Sequence, residues 1–291
     1  MKINVIGGGA IGLLLAAKLG RFHDVRLLTR TRHQSKRIAA EGLRIGEEVI
    51  AVTASAFEDL QESTEADAWI ICVKQYDLTE IWDKVKLHAR SAVVFLQNGM
   101  GHTDMLRKVD VDYPIIVGSV EHGALRMDPR TVEHTGEAVI RLADLSGGHA
   151  FELAGRLHEA DFPFIYERDW YKMLGTKLIA NAVINPLTAI YRIENGELLE
   201  RQPFEHIARM LCKEAAETLG FDRKEQWENV RRIIQATKAN RSSMYKDIQA
   251  GAFTEIEAIS GYIRKHAKHD VPYTDFVYHS IHGLTKTAGE D

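Results

Sequence analysis

Lys2-Ile3-Asn4-Val5-Ile6-Gly7-Gly8-Gly9-Ala10-Ile11-Gly12 opens the chain, and the apolar run Leu13–Leu19 follows at once. Ile3, Val5 and Ile6 predict a buried strand, the glycines a turn, and the leucine-rich run a helix. Gly7 suits the tight turn after the strand. Gly9 lets a pyrophosphate come close to the backbone at a helix N-terminus, and Gly12 lets that helix pack against the strand. A bare GxGxxG carries little weight, but between a strand and a helix it predicts a dinucleotide site.

The tip of the second strand decides which dinucleotide. An NAD-type site carries Asp or Glu there, about 20 residues on, to hold the ribose hydroxyls. This chain has Thr29-Arg30-Thr31-Arg32 instead. The Arg30 guanidinium can pair a 2′-phosphate in bidentate fashion, so NADPH/NADP+ is the expected cofactor, with Arg32 as a lesser helper. The alternative for Arg30 is an ordinary surface arginine.

Working outward, short apolar runs at Val25–Thr29, 68–73, 92–97 and Ile115–Val120 alternate with helical or loop stretches. This alternation predicts a parallel sheet covered by helices. Thr131–His134 and 138–142 are expected to extend the sheet. Past Asp169 the period becomes helical, with amphipathic stretches at 170–189, 204–219, 227–239 and 255–266. The expected architecture is an α/β Rossmann-type dinucleotide-binding domain over residues 1–168, followed by an all-α substrate domain over 169–291. Lys74 and Asn98-Gly99-Met100-Gly101 follow strands of that sheet, where open parallel sheets collect ligands. Asn98-Gly99 taken alone is more often just a turn, and its place beyond a parallel strand makes the functional reading an even alternative.

Composition narrows the partners. With 37 basic and 41 acidic residues the net charge is −4, so no nucleic acid or anionic membrane is expected, and a small molecule is. Cys72 and Cys212 stand far apart and outside any Cys/His cluster, so neither a disulfide nor a metal is expected. No transmembrane run and no secretory signal pattern is evident, so the cytoplasm is the expected compartment. Monomer and homodimer are both open.

The substrate end is expected along Lys177-Leu178-Ile179-Ala180-Asn181-Ala182-Val183-Ile184-Asn185-Pro186. Residues four apart on a helix stand one above another, so Lys177, Asn181 and Asn185 share one face among apolar neighbours. An ammonium short of hydration has its pKa driven down, which suits a proton donor near neutral pH. The alternative is two amides satisfied by backbone or water and a lysine snorkelling to solvent. Asn195-Gly196 is expected to close this helix, with Asn195 open to a capping role. Ser243 and Thr254 are open to N-cap roles. Together these residues offer the hydroxyl, amides and proton source that a small oxo acid needs.

Gly7–Gly12, Asn98–Gly101, the run from Lys177 through Asn181 and Asn185 to Ala189, and Ser242-Ser243-Met244…Asp247…Thr254-Glu255-Ile256 together resemble the ketopantoate reductase (2-dehydropantoate 2-reductase) family. The resemblance spans nearly the whole chain. It implies a helical domain of the 6-phosphogluconate dehydrogenase C-terminal type and NADPH-dependent reduction of 2-dehydropantoate to (R)-pantoate, on the way to pantothenate and coenzyme A. By position it implies cofactor contacts from Gly7, Gly8, Gly9, Ala10, Ile11, Gly12, Arg30, Lys74, Asn98, Ala124 and Glu255. It implies Lys177 as proton donor and Asn98, Asn181, Asn185, Asn195 and Ser243 as substrate contacts. Lys172 lies closer to Trp170 than Lys177 does, but only Lys177 keeps the four-residue register with the two amides. His122 and His134 match a recurring pattern to which no chemistry attaches. The competing readings are a two-domain NADP reductase of another oxo acid, and a non-catalytic NADP(H) sensor.

Overall fold

The computed structural model describes residues 1–60, 65–89 and 91–285. They fall into two compact units, one holding the chain up to Gln97 with His102–Met173, the other Asn98–Gly101 with the chain from Leu174 on.

The first unit is built on strands β1 (Lys2–Ile6), β2 (Asp24–Thr29), β3 (Leu43–Ile45), β4 (Glu48–Ile50), β5 (Thr53–Ala56), β6 (Ala68–Ile71), β7 (Ala92–Phe95), β8 (Ile115–Val120), β9 (Gly123–Arg126), β10 (Thr131–Gly136), β11 (Ile140–Ser146) and β12 (Phe164–Tyr166). Its helices are α1 (Ala10–Leu19), α2 (Arg32–Glu41), α3 (Leu78–His88), α4 (Gly101–Leu106) and α5 (Ala150–Leu157). Eight strands form one sheet in the order β5-β2-β1-β6-β7-β8-β11-β12. β1 lies between two parallel neighbours, with Val5 opposite Leu27 and Ile70. The expected parallel sheet is therefore present, with one reversal where β11 runs antiparallel to β8.

One strand departs from expectation. Thr131–His134 does not extend this sheet: β10 belongs to a second sheet of order β4-β3-β10-β9. In β10, Val132 is buried and Glu133 exposed, the alternation of a strand covered on one face only. Its cover is α1, which contacts β1 and β2 as well as β3, β9 and β10. A helix enclosed by two sheets has no face left for water. Every residue from Gly12 to Leu19 is buried, including Lys18, whose ammonium reaches Asp161 at 2.8 Å.

The second unit is all helix among its described elements: α6 (Trp170–Tyr191), α7 (Glu197–Glu200), α8 (Gln202–Leu219), α9 (Arg223–Ala236), α10 (Ser243–Gln249), a π-helical turn (Glu257–Gly261), α11 (Tyr262–His266) and α12 (Pro272–Leu284). Two expectations need correction here. α6 is not amphipathic, because almost every residue from Leu178 to Ala189 is buried. It is long and apolar enough to cross a membrane, contrary to the sequence reading, yet 72% of that apolar window lies inside the protein, which marks a core helix. Glu214 on α8 accepts from the backbone of Tyr273 and Thr274 at 3.0 and 2.8 Å, capping α12 with a buried carboxylate. Cys212 is buried in α8, and burial pushes its thiol up to about 12, which leaves it a small hydrophobe.

The two histidines without assigned chemistry pack against Phe162 in the first unit, His122 buried and His134 half-buried. His122 Nδ1 accepts the Ala138 N–H at 3.1 Å and lies 3.0 Å from His134 Nε2, and its ring stacks on Phe162. Burial, with His134 and Lys18 adding positive charge, pushes His122 down to about 4. Burial also lowers His134, against the pull of Glu137 and Asp161. A base with a lowered folded pKa leaves the unfolded chain holding more protons below its ordinary 6.5, so stability is lost as pH falls from about 6.5 toward 4. We expect His122 to cost the wild type roughly 1–2 kcal/mol between pH 7 and pH 5. Urea midpoints at the two pH values check this, and a His122→Gln protein should show a smaller fall; equal falls in both proteins would refute the role.

Candidate active site

The glycine turn has the geometry its spacing predicts. Gly7 adopts φ +115°, and its N–H bonds Leu28 O at 2.9 Å, so the ladder continues one residue past β1 before the chain turns. A side chain there would crowd the Cys72–Val73 peptide at 3.1 Å. A Cβ on Gly12 would overlap the Gly7 carbonyl oxygen and sit 3.0 Å from its carbon, so only glycine permits this helix-to-turn contact. Gly9 is the N-cap of α1, exposed, with nothing within 4 Å of a built Cβ. No side chain caps α1 and no acidic residue stands in its first turn. The positive end of the helix, with Ala10 and Ile11 in that turn, is thus left to an outside anion, which fits a dinucleotide pyrophosphate.

Two arginines follow β2 and differ sharply. Arg32 bonds the Asp59 carboxylate at 2.7 Å and pairs Glu58 at 3.1 Å, so its guanidinium is already engaged. Arg30 is 85% exposed and meets Asp77 only at 3.9 Å, the limit of an ion pair. Of the two, Arg30 is the one with donors to offer a phosphate. Lys74 is half-buried just past β6, at the head of a tight turn over Gln75–Asp77. Ala124 sits half-buried on β9, paired with His134 across the second sheet. Gln97, which no motif announced, is buried and donates to Ile71 O at 3.0 Å and Val73 O at 3.1 Å, tying together the ends of β6 and β7.

The second unit gathers the remaining polar residues into three groups. Asn98 donates through Nδ2 to Glu255 Oε2 at 2.9 Å. Gly99 lies against the π-helical turn at φ +79°, where a Cβ would overlap the Ala258 carbonyl oxygen. Glu255 is buried, and its backbone oxygen accepts from Ile259 at 3.1 Å. A buried carboxylate that accepts from an amide fixes which way that amide faces.

On α6, Lys177 and Asn181 are half-buried and Asn185 is 7% exposed, in the four-residue register. Pro186 interrupts the helix ladder just beyond them. Thr188 Oγ1 lies 2.8 Å from Ser242 Oγ, which in turn reaches Asn185 O at 3.4 Å. Ser242, not Ser243 or Thr254, is the N-cap of α10, accepting from Tyr245 N at 3.1 Å. The π-helical turn is preceded by Ile256 and has no side-chain cap. Ser243 therefore keeps an exposed hydroxyl at the first position of α10.

Asn195 is not the cap of α6. That helix ends at Tyr191, and Arg192 takes the left-handed conformation at φ 56° that was expected of the Asn195-Gly196 pair. Asn195 is buried beyond it, with its N–H on Asn240 O at 3.0 Å and Nδ2 on Thr237 Oγ1 at 2.9 Å. Its Oδ1 is buried without a partner among the described residues, an acceptor waiting for a donor. Gln34, Gln97 and Thr237 are the supporting residues that motif reading missed, whereas Thr188 and Ser242 lie within the quoted runs without an assigned role.

Comparison with known proteins gives full-length likenesses. The family model described as "Ketopantoate reductase PanE/ApbA" matches residues 3–147, and "Ketopantoate reductase PanE/ApbA C terminal" matches residues 169–285. The 2-dehydropantoate 2-reductase of Bacillus subtilis (strain 168) is 37% identical, over 100% of this chain and 99% of its own. A crystal structure of a probable 2-dehydropantoate 2-reductase from Bacillus subtilis superposes with TM-score 0.89 at 36% identity, covering 98% of this chain and 100% of that one. A D-mandelate dehydrogenase, solved with NADH and anilino(oxo)acetate, superposes equally well at TM-score 0.90 over 98% of both chains, but at 22% identity it speaks for the fold alone.

Proposed function

The chain belongs to the ketopantoate reductase family, and from that premise we propose that it reduces 2-dehydropantoate to (R)-pantoate with NADPH, in pantothenate and coenzyme A biosynthesis. The observation that carries the reading is the register of Lys177, Asn181 and Asn185 on a buried helix within a chain matched end to end by its relatives. We assign cofactor binding to the domain of residues 1–168 and substrate binding to 169–291, a division that the two family matches support. The compartment is the cytoplasm, and the partner is this small molecule, met by a monomer or a homodimer.

Gly7–Gly12 and the first turn of α1 hold the pyrophosphate, Arg30 pairs the 2′-phosphate, and Lys74 and Ala124 complete the cofactor contacts. Bound NADPH supplies a hydride to C2 of the ketone. Lys177 holds a proton and releases it to the alkoxide oxygen that forms there, so hydride and proton together complete the alcohol. Asn181 and Asn185 fix substrate oxygens, and Ser243 offers its hydroxyl to the carboxylate. Asn195, with Oδ1 as its open group, accepts from a substrate hydroxyl. Asn98, which donates to Glu255, is assigned to contacts with both cofactor and substrate.

A panel of 2-oxo acids with NADPH tests the assignment. The proposal expects the highest kcat/KM for the branched acid bearing a 4-hydroxyl, and equal or better turnover of an unhydroxylated acid would overturn it. Arg30→Ala should lower kcat/KM for NADPH about 10- to 100-fold, the loss of a charge-assisted contact, and leave the value for NADH within twofold. An equal loss with both cofactors would remove Arg30 from the 2′-phosphate site.

A further inference from the structure

The central glycine of the cradle is explained by a side chain outside it. A Cβ on Gly8 would lie 2.5 Å from Gln34 Nε2 and 2.6 Å from Gln34 Cδ, so the Gln34 carboxamide occupies the space a side chain would need. Gln34 stands in the first turn of α2, three residues past the Thr31 cap that accepts its N–H at 3.3 Å, and it is buried. Its Nε2 donates to Gly8 O at 2.9 Å and to Pro129 O at 2.8 Å. Both partners are carbonyl oxygens, which only accept, so the orientation of the amide is set and both its N–H groups are used. From β9, Arg126 Nη1 donates to the same Gly8 oxygen at 3.2 Å. Two donors fill the two acceptor directions of one carbonyl.

In a trans peptide the C=O and the following N–H point opposite ways. With Gly8 O turned toward Gln34 and Arg126, the Gly9 N–H is aimed away from them. Gly9 is exposed, has open space where a side chain would be, and heads a helix with no side-chain cap. We propose that Gln34, assisted by Arg126, is a positioning residue for NADPH: by holding the Gly8 carbonyl it locks the Gly8–Gly9 peptide so that the Gly9 N–H faces the pyrophosphate. This rests on the reading of the glycine turn as the NADPH cradle. Gln34 lies in the first turn of α2, whose Thr31 cap directly follows Arg30, so it also ties the cradle to the segment that reads the 2′-phosphate.

A merely structural Gln34 would pin α2 to Pro129 and nothing more, and binding separates the two roles. Gln34→Met keeps the volume and removes both donors. It should weaken NADPH binding by apo protein, measured by fluorescence titration, about tenfold, and raise KM for NADPH equally with kcat held within twofold. Arg126 is exposed, so Arg126→Met should fold as the wild type does and weaken binding about threefold without moving the apo Tm. Gly8→Ala should cost more in the wild type than beside Gln34→Ala, where the space is vacated. A Gln34→Met protein with a lowered apo Tm but unchanged NADPH affinity, or an Arg126→Met protein with unchanged affinity, would overturn the inference. A wild type that binds no NADPH would instead overturn the cofactor reading beneath it.

Discussion

Replacing Lys177 with Ala lowers kcat by about 10²- to 10⁴-fold, the range for removal of a positioned general acid, while NADPH affinity stays within twofold. The split follows from where the residue sits. Lys177 is on α6, and the glycine turn, Arg30 and the second sheet are built from residues 2–136, so the variant leaves the cofactor cradle intact. Lys177 is half-buried beside wholly buried Leu178 and Ile179, and Ala is a better helix former than Lys, so the helix itself tolerates the change. Lys172 supplies the control. It is exposed in the first turn of α6, where its backbone N–H bonds the Asp169 side chain at 2.9 Å, and Lys172→Ala should keep kcat within twofold. Steady-state rates with purified variants decide it. Near-normal turnover by Lys177→Ala, or a loss shared by Lys172→Ala, would end the assignment.

Gly12→Ala should damage both folding and cofactor binding. The added carbon would overlap the Gly7 carbonyl oxygen, and because the neighbour is backbone no rotamer change can relieve it. α1 cannot retreat, since it is enclosed by β1 and β2 on one side and β3, β9 and β10 on the other. The turn must therefore open. We expect a stability loss of about 3 kcal/mol, the upper end for overpacking, and NADPH affinity weakened at least about a hundredfold because the cradle loses its shape. Chemical denaturation and fluorescence titration read the two effects. Wild-type affinity in Gly12→Ala would mean that this turn does not hold the cofactor.

The cradle and the α6 register were legible because each is a spacing rule acting within one segment: glycines between a strand and a helix, and polar residues at intervals of four. What stayed hidden depends on partners distant in sequence. β3 and β9 are three and four residues long, too short for periodicity, and they exist because β10 aligns between them over α1. Ser242 and Ser243 are indistinguishable as caps until Thr188 claims the first hydroxyl. Arg192 in the left-handed region violates the preference for Gly or Asn, so Asn195-Gly196 drew attention to the wrong residue. Gln34 belongs to no motif. Its role is visible only once Gly8 O and Pro129 O converge on one amide.

The most direct measurement of the central claim is the loss of NADPH absorbance when the wild-type protein meets 2-dehydropantoate, with the product analysed by chiral chromatography. The account predicts one (R)-pantoate formed for each NADPH consumed, and a far slower reaction with NADH. Tight NADPH binding with no consumption under saturating 2-dehydropantoate would contradict it.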